Sequence, residues 1–392
     1  MNLRRPPAIL AVLLALSACG PAPTAAPPSS SAGRPTIAAP TTAATGPAGS
    51  AAAELDDLVA SMAAFVMAGD KDGYLSLVDR SDAVFATEHT RWADEWSGPH
   101  PVTEYGLDLE NVRVDGAGAT GDVTVTWGVE GDPSGEGVRS ARFAARFTQS
   151  DAGAWQYAGE AWVSTEIPRF VIRVAPGLEA ESGPIEADLP TVYDHVTSSL
   201  GYEPTGTMQI KLYAEPEPLV ANTLLSLPII AGWNEPGEAL KLVHRPNGPP
   251  LTGTIAHELT HFVGFDRAGT KRTRMPWWLD EGIATFVATE LDGAPAQDRL
   301  AQVIQWNAEG ALAPWEAMAV FEDAPIELWT YAYPQGYAMV RFVTERFGRD
   351  ERNAWLAAMA TEMDIDEATP AVLGRSFDEL DAEFRAWLTE QA

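Results

Sequence analysis

His257-Glu258-Leu259-Thr260-His261, followed by Trp278-Leu279-Asp280-Glu281-Gly282, indicates which kind of domain this chain contains. Two histidines four residues apart on a helix project from the same face, so both imidazoles can bind one ion. Glu258 lies about 100° around the helix from His257, where it can contact a water on that ion. Glu281 would supply a third ligand from a second helix. Three protein ligands with one open position are typical of a catalytic zinc site rather than a structural one.

The surroundings of Glu281 also favour a bound cation. The segment from Pro276 to Ala284 places this carboxylate early in an apolar helix, where aromatic neighbours would bury it. A buried carboxylate without a partner is costly, so a cation beside it is the simplest explanation. The sequence therefore predicts zinc as the cofactor.

The two segments together resemble the gluzincin clan of zinc peptidases, the thermolysin- and aminopeptidase-like enzymes, and above all the bacterial peptidase MA-like group. The resemblance extends from about Phe170 to the C-terminus. It implies that His257, His261 and Glu281 bind zinc and that Glu258 is the general base.

A tyrosine further along the chain adds to this resemblance. Tyr333-Pro334-Gln335-Gly336 is similar to the Tyr-x-x-Gly of the aminopeptidase-like gluzincins, whose tyrosine hydroxyl donates to the tetrahedral intermediate. Proline at a first helical position would place Tyr333 just before a helix over Tyr337–Phe347. Because this chemistry needs an oxyanion donor, Tyr333 is the predicted catalytic donor. Alternatively, Tyr331, Tyr333 and Tyr337 are core aromatics.

The segment before the metal helix departs from the aminopeptidase pattern. Those enzymes have Gly-x-Met-Glu-Asn there, which binds the free amine of the substrate, whereas this chain has Ala231-Gly232-Trp233-Asn234-Glu235-Pro236. Glu235 would either imitate that acid or be a turn residue. The strand over Ala239–His244 is expected to form the edge along which an extended substrate adds. Thr285 stands where gluzincins often place an acid, so the group that orients His257 is left open.

Residues 167–392 are predicted to form a zincin-like domain with a small mixed sheet and a mostly helical C-terminal half. Apolar runs and amphipathic periodicity predict its strands and helices. Strands are expected at Phe170–Val174, Met208–Tyr213 and Ala239–His244, with a helix near Ile185–Leu200. Ser376-Phe377-Asp378-Glu379 reads as a capping box that starts the last helix.

Residues 54–166 are predicted to form a separate α+β domain. An i, i+3, i+4 apolar stripe from Leu55 to Val66 predicts a helix. Alternating runs then predict antiparallel strands near residues 107–114, 123–129, 139–148 and 155–163. The pattern resembles the NTF2-like (cystatin-like) fold. Since no cluster of titratable residues is evident here, a non-catalytic accessory domain is expected.

The first 53 residues indicate export and anchoring. Arg4 and Arg5 precede an apolar run that is too short to span a membrane, as in a secretory signal. Leu16-Ser17-Ala18-Cys19 resembles the lipobox of bacterial lipoproteins, which implies a signal peptide over residues 1–19 and a lipid anchor on Cys19. An ordinary secretory signal is the alternative. Residues 20–53, rich in Ala, Pro, Thr and Ser, are predicted to be a disordered tether.

Composition excludes some partners. The chain has 392 residues, a net charge of -29 and 55 acidic against 26 basic residues, so it repels nucleic acid. The single cysteine excludes an internal disulfide and a cysteine-rich zinc module.

The overall prediction is a membrane-anchored, extracytoplasmic zinc metallopeptidase, at the cell surface or on the periplasmic side, that acts on peptides or proteins. The alternative is an inactive envelope lipoprotein that uses the zincin fold for binding. Composition leaves the oligomeric state open.

Overall fold

The computed structural model describes residues 47–392 except 133, 228–229, 245–249, 270–273, 294–295, 322 and 362. The predicted signal peptide, Cys19 and most of the predicted tether therefore lie outside the described residues. Among the residues it does describe, the longest apolar helices are still too short or too polar to cross a membrane.

The N-terminal part combines three helices with one antiparallel sheet. The helices are α1 (Pro47–Ala68), α2 (Lys71–Ser76) and α3 (Ala83–Asp94). The sheet has the order β1-β2-β3-β4, with β1 (Val102–Asp115), β2 (Gly118–Val129), β3 (Arg139–Gln149) and β4 (Trp155–Glu160). The first seven residues of helix α1 lie within the predicted tether, because Ala51–Ala53 are good helix formers. The sequence pattern does not predict helix α3, whose N-cap Asp82 accepts hydrogen bonds from the backbone N–H groups of Val84 and Phe85.

The second sheet is mixed, as predicted. Its order is β5-β6-β7-β9-β8, with β5 (Val163–Ile167), β6 (Phe170–Val174), β7 (Met208–Tyr213), β8 (Gly232–Trp233) and β9 (Leu240–Val243). Strands β6, β7 and β9 are parallel, and β5 and β8 are antiparallel edges. The expectation that Ala239–His244 forms the edge is wrong, because β8 pairs outside β9. Strand β8 has two residues, which are too few to show the alternating pattern of a strand in the sequence.

Helices make up most of the remaining chain. They are α4 (Ser182–Leu200), α5 (Pro216–Ala221), α6 (Thr252–Ala268), α7 (Trp277–Asp292), α8 (Ala296–Glu309), α9 (Ile326–Phe347), α10 (Arg349–Thr361), α11 (Ile365–Ala368) and α12 (Phe377–Glu390). This confirms an α+β chain with a mostly helical C-terminal half. The capping box of Ser376 and Glu379 at the start of α12 is also confirmed.

The two faces of the second sheet meet different surroundings. On β7, the side chains of Met208, Ile210 and Leu212 point into an apolar core with the helices. The alternate residues Lys211 and Tyr213 point to the other face, as strand geometry requires. There Lys211 meets Glu88 of α3, and Tyr213 donates to Glu160 of β4.

The two parts of the chain also share apolar packing. Val220, Ala221, Leu225 and Leu227 follow β7 in sequence but pack into the core between α1, α3 and the first sheet. Strand β5 spans the predicted domain boundary at residue 166 and belongs to the second sheet. The N-terminal part is therefore packed on the second sheet through both charged and apolar contacts.

Candidate metal centre

Helix α6 presents its two histidines because its other face is needed for the core. Ile255, Leu259 and Val263 are buried against neighbouring helices, so His257 and His261 face the opposite way. The helix begins at Thr252, and its N-cap residue Leu251 makes no side-chain capping bond.

The three predicted ligands converge. The Nε2 atom of His257 lies 3.1 Å from Oε2 of Glu281 and 3.2 Å from Nε2 of His261. Nε2 of His261 lies 3.6 Å from the same carboxylate oxygen. Across the part of the chain that the structure describes, this is the one group of three or more such side chains that could hold a metal. Their side chains are 19%, 8% and 13% exposed, in the order His257, His261 and Glu281, so the cluster is largely buried yet open to solvent.

Two further residues, Asp280 and Trp277, form hydrogen bonds with the predicted ligands. Asp280 Oδ2 lies 3.0 Å from Nδ1 of His261, which leaves Nε2 directed at the cluster. The indole N–H of Trp277 donates to Oε1 of Glu281 over 3.1 Å, which leaves Oε2 directed at the histidines. Carboxylate and N–H partners of this kind fix the orientation of metal ligands. The sequence leaves open which group orients His257; the structure gives the orienting carboxylate, Asp280, to His261 instead, and Thr285 is buried in α7.

The charges of the cluster favour a cation between the three side chains. Burial alone would lower the pKa of His261, but the Asp280 and Glu281 carboxylates outweigh it and raise that pKa well above its ordinary value. Burial alone would raise the pKa of Glu281, but the His261 and His257 imidazoles hold it well below its ordinary value. The acidic groups thus stabilise positive charge at the point where the ligand atoms meet. Two imidazoles and one carboxylate are also a donor set that zinc accepts, so these residues fit the ion.

Glu258 lies beside this cluster and is buried. Burial raises the pKa of its carboxyl, with the Glu281 and Asp280 charges acting in the same direction and the two histidines opposing them. Its carboxylate lies against strand β8, where a Cβ built on Gly232 would lie 3.0 Å from Cδ of Glu258. A carboxylate with a raised pKa accepts a proton more readily than an ordinary one, which suits Glu258 to take up a proton and release it again.

Tyr333 is also at the cluster, but not where the sequence placed it. Helix α9 runs continuously from Ile326 to Phe347 and includes Pro334, so the prediction that Tyr333 precedes the helix is wrong. Packing of α9 against α7 outweighs the one backbone hydrogen bond that proline removes. The Tyr333 ring stacks on His257 at 6.2 Å. Burial and then the charges of Glu281 and Glu258 raise the pKa of its hydroxyl well above the ordinary value, so the hydroxyl keeps its proton.

Some solved structures are similar to the chain at low sequence identity. Solved structures similar to the chain include an M1 zinc metallopeptidase from Deinococcus radiodurans, at 13% identity over 74% of this chain and 95% of that one, with a TM-score of 0.38. A mutant of the same peptidase gives 0.39.

A shorter stretch of the chain is similar to other solved structures. One is described as a function unknown protein from Mycobacterium tuberculosis, at 18% identity over 30% of this chain and 74% of that one, with a TM-score of 0.24. These TM-scores are too low to carry an argument about fold or function. No curated protein matches the chain. Residues 250–390, which include His257, Glu258, His261, Glu281 and Tyr333, match the family model of the Peptidase MA superfamily.

Proposed function

We propose that the protein is a zinc-dependent metallopeptidase that hydrolyses peptide bonds in peptides or proteins. The observation that carries the proposal is the convergence of His257, His261 and Glu281, with Glu258 and Tyr333 at the same place. The match of residues 250–390 to the Peptidase MA superfamily supports it independently.

In this proposal each side chain has a role that its surroundings support. When bound by His257, His261 and Glu281, zinc would polarise the peptide carbonyl and make a water more acidic. Glu258 takes a proton from the attacking water and passes it to the departing amine, which its raised pKa permits. The protonated hydroxyl of Tyr333 donates a hydrogen bond to the carbonyl oxygen as charge develops there.

The edge strand for the substrate is β8 rather than β9 in this proposal. Gly232 of β8 lies against Glu258, so a peptide that pairs with β8 would pass the general base. Main-chain hydrogen bonds between β8 and the peptide would supply affinity that does not depend on the side chains of the peptide.

We also propose that Cys19 is a lipid anchor that holds the protein on the extracytoplasmic side of a membrane. The lipobox-like Leu16-Ser17-Ala18-Cys19 supports this. Residues 54–166 would form an NTF2-like accessory domain on the zincin-like domain. Replacing Cys19 with serine should move the protein from the membrane fraction to the soluble fraction, and unchanged membrane association would refute the anchor.

Two substitutions test the catalytic roles separately. Glu258→Gln should abolish chelator-sensitive cleavage of an unfolded protein and still retain about one zinc per chain. Glu281→Ala should deplete the zinc as well. Glu327→Ala, which removes an exposed glutamate of α9, is the control and should leave both zinc and cleavage unchanged.

The outcomes distinguish the possibilities. Wild-type turnover in the Glu258→Gln variant would remove Glu258 from the general-base role. Full zinc occupancy in the Glu281→Ala variant would remove Glu281 from the ligand set. A wild-type protein that binds zinc and peptides without cleaving them would favour the binding lipoprotein instead.

A further inference from the structure

Aromatic side chains form a continuous surface beside the metal centre, which we call the aromatic wall. Its ring centroids lie 4.8 to 6.2 Å from their neighbours. All of its members are partly exposed. The members are Trp233, Trp277, Phe321, Trp329 and Tyr333.

The aromatic wall connects the ligands with the edge strand. At one end, Tyr333 stacks on His257, and Trp277 donates its N–H to Glu281. At the other end, Trp233 follows Gly232 in β8, the residue that packs on Glu258. A peptide that lies along β8 with a bond at the metal centre would therefore place a neighbouring side chain on the wall.

The aromatic wall offers apolar surface and few polar partners. The indole N–H of Trp277 is used by Glu281, and that of Trp329 donates to the carbonyl of Ala324 over 3.2 Å. Val320, which precedes Phe321, and Ile326, which lies about one turn before Trp329 in α9, are 47% and 42% exposed. A polar side chain on this surface would lose water without gaining hydrogen bonds, whereas an apolar ring gains from burial and ring contacts.

We infer that the aromatic wall binds a bulky apolar or aromatic side chain of the substrate, next to the hydrolysed bond. The inference rests on the proposed peptidase function and adds a substrate class to it. Substrates would be peptides or unfolded chains in which such a residue is accessible.

Peptides that differ at one residue provide the test. In an otherwise small and polar peptide, a single Phe should direct cleavage to a bond beside it. Replacing that Phe by Ala should lower kcat/KM about 10- to 100-fold, the effect of losing the burial of one large apolar side chain. Replacing it by Asp should lower kcat/KM at least as much.

Substitutions in the aromatic wall test whether the preference for Phe comes from this surface. Trp329→Ala should reduce the ratio of kcat/KM between the Phe and Ala peptides towards one, and Phe321→Ala is a second variant if the first does not fold. Trp306→Ala is the matched control, because Trp306 is partly buried against another ring, that of Tyr331, and is not a member of the wall. It should keep the wild-type ratio, and thermal melting should show that each variant is folded.

Peptide binding keeps this test independent of turnover. The zinc-loaded Glu258→Gln protein should bind the Phe peptide more tightly than the Ala peptide in a calorimetric titration, and Trp329→Ala in that background should remove the difference.

Cleavage without a preference for Phe would overturn the proposed role of the aromatic wall and leave the peptidase proposal standing. Absence of cleavage with preferential Phe binding would support the wall and refute the peptidase. Equal affinity for both peptides, or binding of neither, would overturn the wall.

Discussion

Gly282 and Gly336 bring the backbones of helices α7 and α9 into direct contact. A Cβ built on Gly282 would lie 2.5 Å from the carbonyl carbon of Gly336, and one built on Gly336 would overlap the carbonyl oxygen of Trp278. Neither position therefore accepts a side chain without moving a helix. Gly282 follows Glu281, and Gly336 lies one turn after Tyr333. The glycine contact thus holds the helix of the third ligand against the helix of the tyrosine.

Gly336→Ala should destabilise the protein by about 1–3 kcal/mol, the usual cost of forcing atoms into a packed contact. The relaxation should also move Tyr333 away from Glu281 and lower peptidase activity. Denaturant unfolding and peptide cleavage measure the two effects.

Gly264→Ala is the matched control for this substitution. Gly264 lies inside helix α6, and a Cβ there meets nothing within 4 Å. Alanine at that position should stabilise the protein by about 0.5–1 kcal/mol, since glycine is a poor helix former. Equal unfolding midpoints for Gly336→Ala and the wild type would show that the two helices separate here without cost.

The sequence predicts the parts of the site that depend on local spacing. Two histidines four apart share a helix face whatever surrounds them. The residues around Glu281 are apolar, and this composition alone predicts that the segment is buried. Tyr333 shows the limit of this reasoning. Pro334 favours a helix start after Tyr333, but the close packing of α7 against Gly336 keeps α9 continuous through the proline.

The features that the sequence does not show depend on how distant segments meet. Asp280 precedes the predicted ligand Glu281, but its contact with His261 follows from the way α7 crosses α6. Strand β8 has two residues and no period of its own. Glu88 and Lys211 are 123 residues apart, so nothing local pairs them.

Asp280→Asn should weaken zinc binding by about 10- to 100-fold, since the carboxylate that orients a ligating histidine is replaced by a neutral amide. The reason is the 3.0 Å contact between Asp280 and Nδ1 of His261. Competition with a zinc chelator measures the affinity. Asp298→Asn, at an exposed position on α8, is the control and should bind zinc like the wild type. Wild-type affinity in Asp280→Asn would show that His261 needs no such partner.

Gly232→Ala should lower kcat strongly and change stability little. A new methyl group there would collide with the flexible end of Glu258, which can move aside at small cost. Moving a general base by about 1 Å can reduce the rate about 100-fold. Steady-state kinetics and thermal melting measure the two effects. The zinc content should stay at the wild-type level, because Glu258 is not in the ligand set. Unchanged kcat would mean that Glu258 acts from another position.

Glu88→Gln should destabilise the packing of the N-terminal part on the second sheet. Glu88 Oε2 lies 2.6 Å from Nζ of Lys211, and both side chains are at most 3% exposed. Lys241 lies 3.7 Å from the other carboxylate oxygen. Breaking a buried pair costs about 3–5 kcal/mol. The loss here should lie at the lower end of that range, because Lys211 still faces Glu160 at 3.9 Å and Lys241 keeps Glu238 at 2.9 Å. Glu110→Gln, in the exposed pair with Arg142, is the control and should change stability little.

The effect of Glu88→Gln should also depend on pH. Burial alone would raise the pKa of Glu88, but Lys211 and Lys241 outweigh it and lower the pKa to about 2, from an ordinary value of 4.5. Because the folded-state pKa is depressed, the contribution of this carboxylate is fully present above pH 4.5 and is lost as the pH falls towards 2. The difference in unfolding free energy between wild type and variant should therefore be constant near neutral pH and shrink below pH 4.5. Denaturant unfolding at several pH values measures this difference, and one that stays constant in acid would show that Glu88 carries no depressed pKa.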